Sequence, residues 1–162
     1  MKKCIFIFIA LILSVNVALG SSIENEISDF ARREYPNDSR MQNYTYKKQI
    51  AAYNYMRTVR DQEILEFASR EYPYDYAMQK YTYDKQLAAK RYMKTVSDTE
   101  VKEFSVREYP YDHSMQKYTY DKQLSAKRYM SRVTNQSAKN RAIREYPYDY
   151  SMQKYTYDKM AY

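Results

Sequence analysis

Between residues 78 and 96 the positions Met78, Tyr81, Thr82, Ala88, Ala89, Tyr92, Met93 and Val96 recur at helical spacing. That spacing winds onto one broad face of an α-helix. Tyr76, Tyr83 and Leu87 form a narrower stripe on the opposite side. A helix apolar on two sides suits a stack in which each unit touches both neighbours. A shorter amphipathic segment precedes each long one. In the stretch 97–133 it places Val101, Phe104 and Ser105 on one face, with Ser97 and Glu100 spaced as a capping box. Pro110 ends this first helix, because the residue before a proline is pushed out of helical geometry. Asp112 then offers a carboxylate to the free N–H groups of a second helix, expected from His113 to about Arg132. The predicted unit is a short helix, a tight Tyr-Pro-Tyr-Asp corner and a longer helix.

This unit repeats. The pattern R-E-Y-P-x-D-x-x-M-Q-x-Y-T-Y-x-K begins at Arg33, Arg70, Arg107 and Arg144, at intervals of 37 residues. A period of that size marks one supersecondary element stacked on itself. The expected fold is all-α: tandem helix-turn-helix repeats forming a short α-solenoid or an irregular helical bundle. The units lie near 23–59, 60–96 and 97–133, with a partial unit at 134–162, in a single repeat domain over 21–162. The first copy carries Asn37, Ser39 and Arg40 where later copies are more alike, as expected of a capping repeat. Arg141 stands where the other copies have Phe30, Phe67 and Phe104, and poorer packing is expected there. The partial last unit reads either as a natural cap or as a face for self-association.

The N-terminal segment differs from the rest. Lys2 and Lys3 precede an apolar run from Cys4 to about Val17, followed by the small residues Ala18 and Gly20. That order predicts a secretory signal peptide over 1–20, the other reading being a retained membrane anchor. Cys4 is the only cysteine, so residues 21–162 hold no thiol nucleophile, disulfide or thiolate metal site. The formal charge of +7 falls to +5 when Lys2 and Lys3 are removed. A mild positive charge suits an anionic surface or polymer. The only glycine is Gly20, which leaves no glycine-rich phosphate loop and no flexible linker in 21–162.

The polar residues of the repeat have structural readings first. Asp38, Asp75, Asp112 and Asp149 stand where each long helix begins, and are expected to be helix caps. Lys48, Lys85, Lys122 and Lys159 fall on the assigned apolar face, where a buried ammonium needs a counter-charge or a route to water. Glu34, Glu71, Glu108 and Glu145, at the ends of the short helices, are the expected partners within each hairpin. His113 is the only histidine and is read as a surface residue. No catalytic residue, metal site or cofactor is expected, and the protein is read as no enzyme. Lys90-Arg91 and Lys127-Arg128 are dibasic pairs near helix ends, where the dipole favours them over a processing role. Asn37, Asn43 and Asn135 begin Asn-x-Ser/Thr triplets that matter only in a glycosylating host.

Tyrosine is the exceptional residue, at 22 of 162. Tyr74, Tyr111 and Tyr148 precede the capping aspartates, once per unit, with Lys80 and Lys117 nearby. Rigid amphipathic rings of this kind are favoured at recognition surfaces. These five residues are the candidate binding set. The partner expected is an envelope protein or a cell-wall or extracellular polymer, with self-association through the last half unit as a further possibility. Nucleic acid is not expected: the aromatic and basic interleaving fits it loosely, and the acidic residues Asp98, Glu100 and Glu103 oppose a phosphate backbone.

The segment Tyr72 to Tyr81 resembles short uncharacterised segments of bacterial secreted and envelope proteins. Those often have Trp-Pro in place of Tyr72-Pro73 and a glutamine near Gln86. The resemblance covers about fifteen residues per unit. It implies a bacterial secreted or periplasmic setting and no known activity. The functional expectation is a non-enzymatic binding module, the alternative being a structural, self-assembling envelope protein.

Overall fold

The computed structural model describes residues 22–161. The signal segment assigned to 1–20 lies outside the described residues. All regular structure among the described residues is helical. Helix α1 covers 22–34, followed by α2 (Ser39–Met56), α3 (Gln62–Glu71), α4 (Tyr76–Thr95), α5 (Thr99–Glu108), α6 (His113–Met130), α7 (Gln136–Glu145) and α8 (Tyr150–Ala161). Internal contacts divide the chain into two compact units, Met1–Tyr83 and Asp84–Tyr162, the division falling within α4.

In both units the short helices bury a pair of residues four apart: Ile27 and Ala31, Ile64 and Ala68, Val101 and Ser105, Ala138 and Ala142. The second member is always small, which lets another helix approach closely at that point. Ser105 keeps its hydroxyl satisfied by donating to the Val101 carbonyl at 2.8 Å. Full burial of a side chain such as Ile64 or Val101 contributes about 1.5–3 kcal/mol. Phe67 and Phe104 are only half-buried, each with an arginine guanidinium over its ring, Arg70 at 5.5 Å and Arg107 at 5.4 Å. That position lies at the edge of the core. Arg141 stands at the surface there, paired with Glu145 at 2.8 Å, while Ala138 and Ala142 beside it stay buried.

In the unit Asp84–Tyr162, α5 packs on α6, α7 on α8, and α6 on α8. Met93, Val101 and Tyr120 make one buried cluster, and Met130, Ala138, Ala142 and Tyr157 another. In the unit Met1–Tyr83, α2 buries Gln49, Ala52 and Met56, and Tyr53 meets Tyr76 edge to face at 5.1 Å between ring centroids.

The buried stripe of the long helices differs from the one read off the sequence. In α4 it comprises Gln79, Tyr83, Gln86, Ala89 and Met93, while Tyr81 and Ala88 are exposed. The hydropathy pattern counted glutamine as polar and so rotated the face. The structure buries glutamine because every unit provides partners for it.

Two sets of glutamines do this. Gln42, Gln79, Gln116 and Gln153 each donate to the carbonyl of the tyrosine that ends the preceding short helix, Gln79 to Tyr72 at 2.7 Å and Gln116 to Tyr109 at 2.7 Å. That tyrosine precedes proline and has left helical geometry, with φ −135° and ψ 68° at Tyr72, so its carbonyl is available. Gln49, Gln86 and Gln123 form the second set. Each donates to the capping aspartate of the next long helix, Gln86 to Asp112 and Gln123 to Asp149 at 2.8 Å. Each also accepts a first-turn N–H of that helix, Gln86 from Ser114 at 3.0 Å and Gln123 from Ser151 at 3.1 Å. One glutamine thus ties successive long helices together and completes the cap.

The short helices begin one residue later than a Ser97 cap requires. Asp98 is the cap of α5, accepting from Val101 N, while Asp61 and Asn135 cap α3 and α7. The backbone N–H of each of these three residues goes to a buried tyrosine hydroxyl, Tyr83, Tyr120 or Tyr157, at 3.2–3.4 Å. A tyrosine from the following helix so does what the second half of a capping box would do. Glu100, released from that role, pairs with Lys127 at 2.8 Å.

Candidate binding surface

Tyrosines fall into two populations. The first is committed to the fold. Besides Tyr83, Tyr120 and Tyr157, it includes Tyr76, Tyr92, Tyr129 and Tyr150, whose hydroxyls donate to Glu26, Asp121, Asp158 and Glu100. Burial, followed by the nearby charge of Glu26 and the hydrogen bond to it, pushes the Tyr76 phenol up to about 12. The hydrogen bond to Asp121 raises that of Tyr92, and burial then the Glu100 bond raises that of Tyr150.

The second population faces solvent. In the unit Asp84–Tyr162 it comprises Tyr111 (69% exposed), Tyr118 (60%), Tyr148 (67%) and Tyr155 (52%), against 3% for Tyr120 and 6% for Tyr157. In the unit Met1–Tyr83 its most exposed members are Tyr44, Tyr74 and Tyr81, at 60–61%, while the tyrosines that end the short helices, such as Tyr72 and Tyr109, are exposed only to 36–37%. No hydroxyl of this set makes an internal hydrogen bond among the described residues. Three corners present one ring just before the capping aspartate and a second one seven residues on, such as Tyr111 and Tyr118, while the first corner has Asn37 before Asp38 and only the second ring, Tyr44. Tyr81, Tyr118 and Tyr155 were absent from the set read from sequence, which counted Tyr81 toward the core.

Corner geometry explains the first ring of each pair. Asp112 Oδ1 accepts from Met115 N at 3.0 Å, and Asp149 Oδ1 from Met152 N at 3.0 Å. Asp75 accepts from Met78 N and Asp38 from Met41 N, both at 2.9 Å. Each aspartate points into its helix end, and Tyr74, Tyr111 or Tyr148 beside it is left outside the packing.

The lysines sit differently from the expectation. Lys117 lies 4.5 Å from the Tyr92 ring and 2.6 Å from Asp121, so its charge is engaged within the unit. Lys80 lies 4.4 Å from the Tyr55 ring. Burial works against ionisation of Asp121, but the Lys117 and Tyr92 hydrogen bonds outweigh it and hold the carboxyl below the usual range. Asp158 is lowered in the same way by Lys154, then Tyr129.

The hairpin ion pair expected from the sequence is replaced by another. Lys48, Lys85, Lys122 and Lys159 are exposed, as are Glu34, Glu71, Glu108 and Glu145. Lys48, Lys85 and Lys122 each precede a buried glutamine, and all four lysines lie on the flank of the true core stripe with water in reach. Lys159 rests 4.3 Å from the Tyr155 ring, and Glu71 meets its neighbour Arg70 at 3.9 Å. An ion network that joins helices centres on Lys127, at 2.9 Å from Asp98 and 2.8 Å from Glu100, with the Tyr150 ring at 5.0 Å. Burial opposes the charge on Lys127, yet its carboxylate partners raise its pKa strongly. His113, expected at the surface, is buried, with Nδ1 3.0 Å from Gln116 Oε1. It occupies the place that Tyr76 and Tyr150 fill in other copies, an inward-facing first-turn position.

Among the described residues no three His, Cys, Asp or Glu side chains cluster as metal ligands, and no helix is long and apolar enough to cross a membrane. No protein-family model, no curated protein and no solved structure matches the chain.

Proposed function

We propose that the protein is a non-enzymatic binding module of the secreted or envelope compartment, holding an extended polymer on its solvent-facing tyrosines. The observation that supports this reading is the sorting of the tyrosines. Where a phenol serves the fold, it is buried or hydrogen-bonded. A second set recurs along the repeats, faces water and gives its hydroxyls no partner within the fold. Exposed aromatic surface is unfavourable in water, and rigid rings lose little entropy on binding. Repetition adds multivalency: linked weak sites reach affinities about 100-fold or more above one site alone when a partner spans them. The compartment rests on the Lys2, Lys3 and apolar-run pattern of the N-terminus.

The test uses a variant with Tyr74, Tyr111 and Tyr148 changed to serine. Retention on whole cell-envelope material is compared with thermal unfolding of the same protein. The expected result is lost retention with an unchanged melt, since these rings lie outside the packing. Unchanged retention rejects the tyrosine surface. Concentration-dependent assembly of the parent protein that the substitutions abolish, without envelope retention, replaces the reading with self-assembly.

A further inference from the structure

We propose a second site, built from none of the exposed corner tyrosines: the groove at the C-terminal end of α6 binds the acidic group of an anionic saccharide. The groove has a volume of about 1070 Å³ and is bordered by Tyr92, Ser125, Arg128, Tyr129, Arg132 and Thr134.

Its charge is the first argument. The carboxylate that lines the groove, Asp121, is already answered by Lys117 at 2.6 Å, and Asp158, which holds the Tyr129 hydroxyl, is answered by Lys154 at 2.5 Å. Arg128 and Arg132 are exposed, and among the described residues neither meets a carboxylate. The two guanidiniums are therefore the net charge of the groove. A cation in the last turn of a helix is accounted for by the dipole. That covers Arg128 but not Arg132, which lies beyond α6. The carbonyls of Lys127 and Tyr129 at this end already accept from Ser131 N and Arg132 N at 3.0 Å. Arg132 is also particular to this copy, since Thr58 and Thr95 hold the equivalent places.

Its walls are the second argument. The Tyr92 hydroxyl is fixed on Asp121 at 2.6 Å, and its ring meets Tyr120 edge to face at 6.3 Å. The Tyr129 hydroxyl is fixed on Asp158 at 2.6 Å, and its ring meets Tyr157 at 6.2 Å in the same manner. Both rings are held before any ligand arrives, which lowers the entropy cost of binding. Ser125 and Thr134 supply hydroxyls that can donate and accept. Forked guanidiniums match a carboxylate or sulfate. Aromatic walls suit the apolar face of a sugar ring, and hydroxyls suit its rim. The choice of a saccharide over a nucleic acid rests on the proposed function of an exported, polymer-binding module. The anion site itself rests on the groove.

The experiment is calorimetric titration of the purified protein with hexagalacturonate, sulfated maltohexaose, uncharged maltohexaose and oligothymidylate. At least one acidic saccharide is expected to bind, with no detectable maltohexaose binding. An R128Q/R132Q variant should keep its circular dichroism and lose roughly tenfold or more of that affinity, the loss of one charge-assisted bond or more. The corner tyrosine variant should bind as the parent does, which separates failure of this site from failure of the tyrosine surface. Carboxylate and sulfate sources are told apart by which acidic saccharide binds more tightly. Absence of binding by both, equal binding of maltohexaose, tighter binding of oligothymidylate, or unchanged affinity in R128Q/R132Q overturns the proposal.

Discussion

Gln123→Leu is the sharpest test of how the long helices are joined. Leucine nearly matches glutamine in volume, so the change removes polar contacts with little change in packing. Gln123 is 4% exposed, and both ends of its amide are in use. Nε2 donates to Asp149 Oδ1 at 2.8 Å, and Oε1 accepts from Ser151 N at 3.1 Å. The first bond is to a charged acceptor and contributes about 1.5–3 kcal/mol; the second is neutral and contributes about 0.5–1.5 kcal/mol. Leucine gains back part of this through its greater hydrophobicity. A net loss of about 2–3 kcal/mol is expected. Asp149 keeps its bond from Met152 N, so the helix end should be weakened and not unmade. Urea denaturation followed by far-ultraviolet circular dichroism measures the loss, with Lys122→Leu as the control one residue away on the exposed flank. If Gln123→Leu is as stable as the parent or more so, the buried amides are passengers in an apolar interface and do not brace the long helices.

The other expectations are shorter. Asp112→Ala should cost about 2–4 kcal/mol, since Asp112 accepts from both Met115 N and Gln86 Nε2, whereas Asp112→Asn keeps a neutral acceptor and should cost about 1 kcal/mol; comparing their denaturation midpoints decides it. Glu108→Gln and Lys122→Ala should each change stability by less than about 0.5 kcal/mol, because both residues are exposed; a clear loss in either would restore the hairpin ion pair. Asp98, Glu100, Asp121 and Asp158 have folded pKa values below their unfolded ones, so their stabilisation is full above the unfolded range near pH 4 and disappears as pH falls through the lower folded values. Thermal midpoints should be flat from about pH 7 to 5 and drop below about pH 4, and a midpoint that rises on acidification would contradict this sign.

The sequence alone determines the helix-corner-helix unit and its recurrence. Proline sets each corner, because Tyr72 and Tyr109 must leave helical geometry ahead of it. An aspartate two residues after the proline is the natural start of the next helix. These are local effects, settled within a few residues of the chain, and so the 37-residue period carries them. Whether a polar side chain is buried is not local. Gln86 and Lys85 are neighbours and both polar, yet one is in the core and the other in water. The difference is that an amide answers both an acceptor and a donor at the start of the next helix, Asp112 and Ser114 N, while an ammonium has donors only and would leave the Ser114 N–H without an acceptor. Hydropathy therefore turned the long helix about its axis, placing Tyr81 inside and a Glu–Lys pair in the hairpin. The recurrence of glutamine in every unit was the signal for the true face. Only the packed structure decides which tyrosines serve the core and which meet solvent, because a phenol is at home in either and the outcome depends on whether a backbone N–H or carboxylate lies opposite.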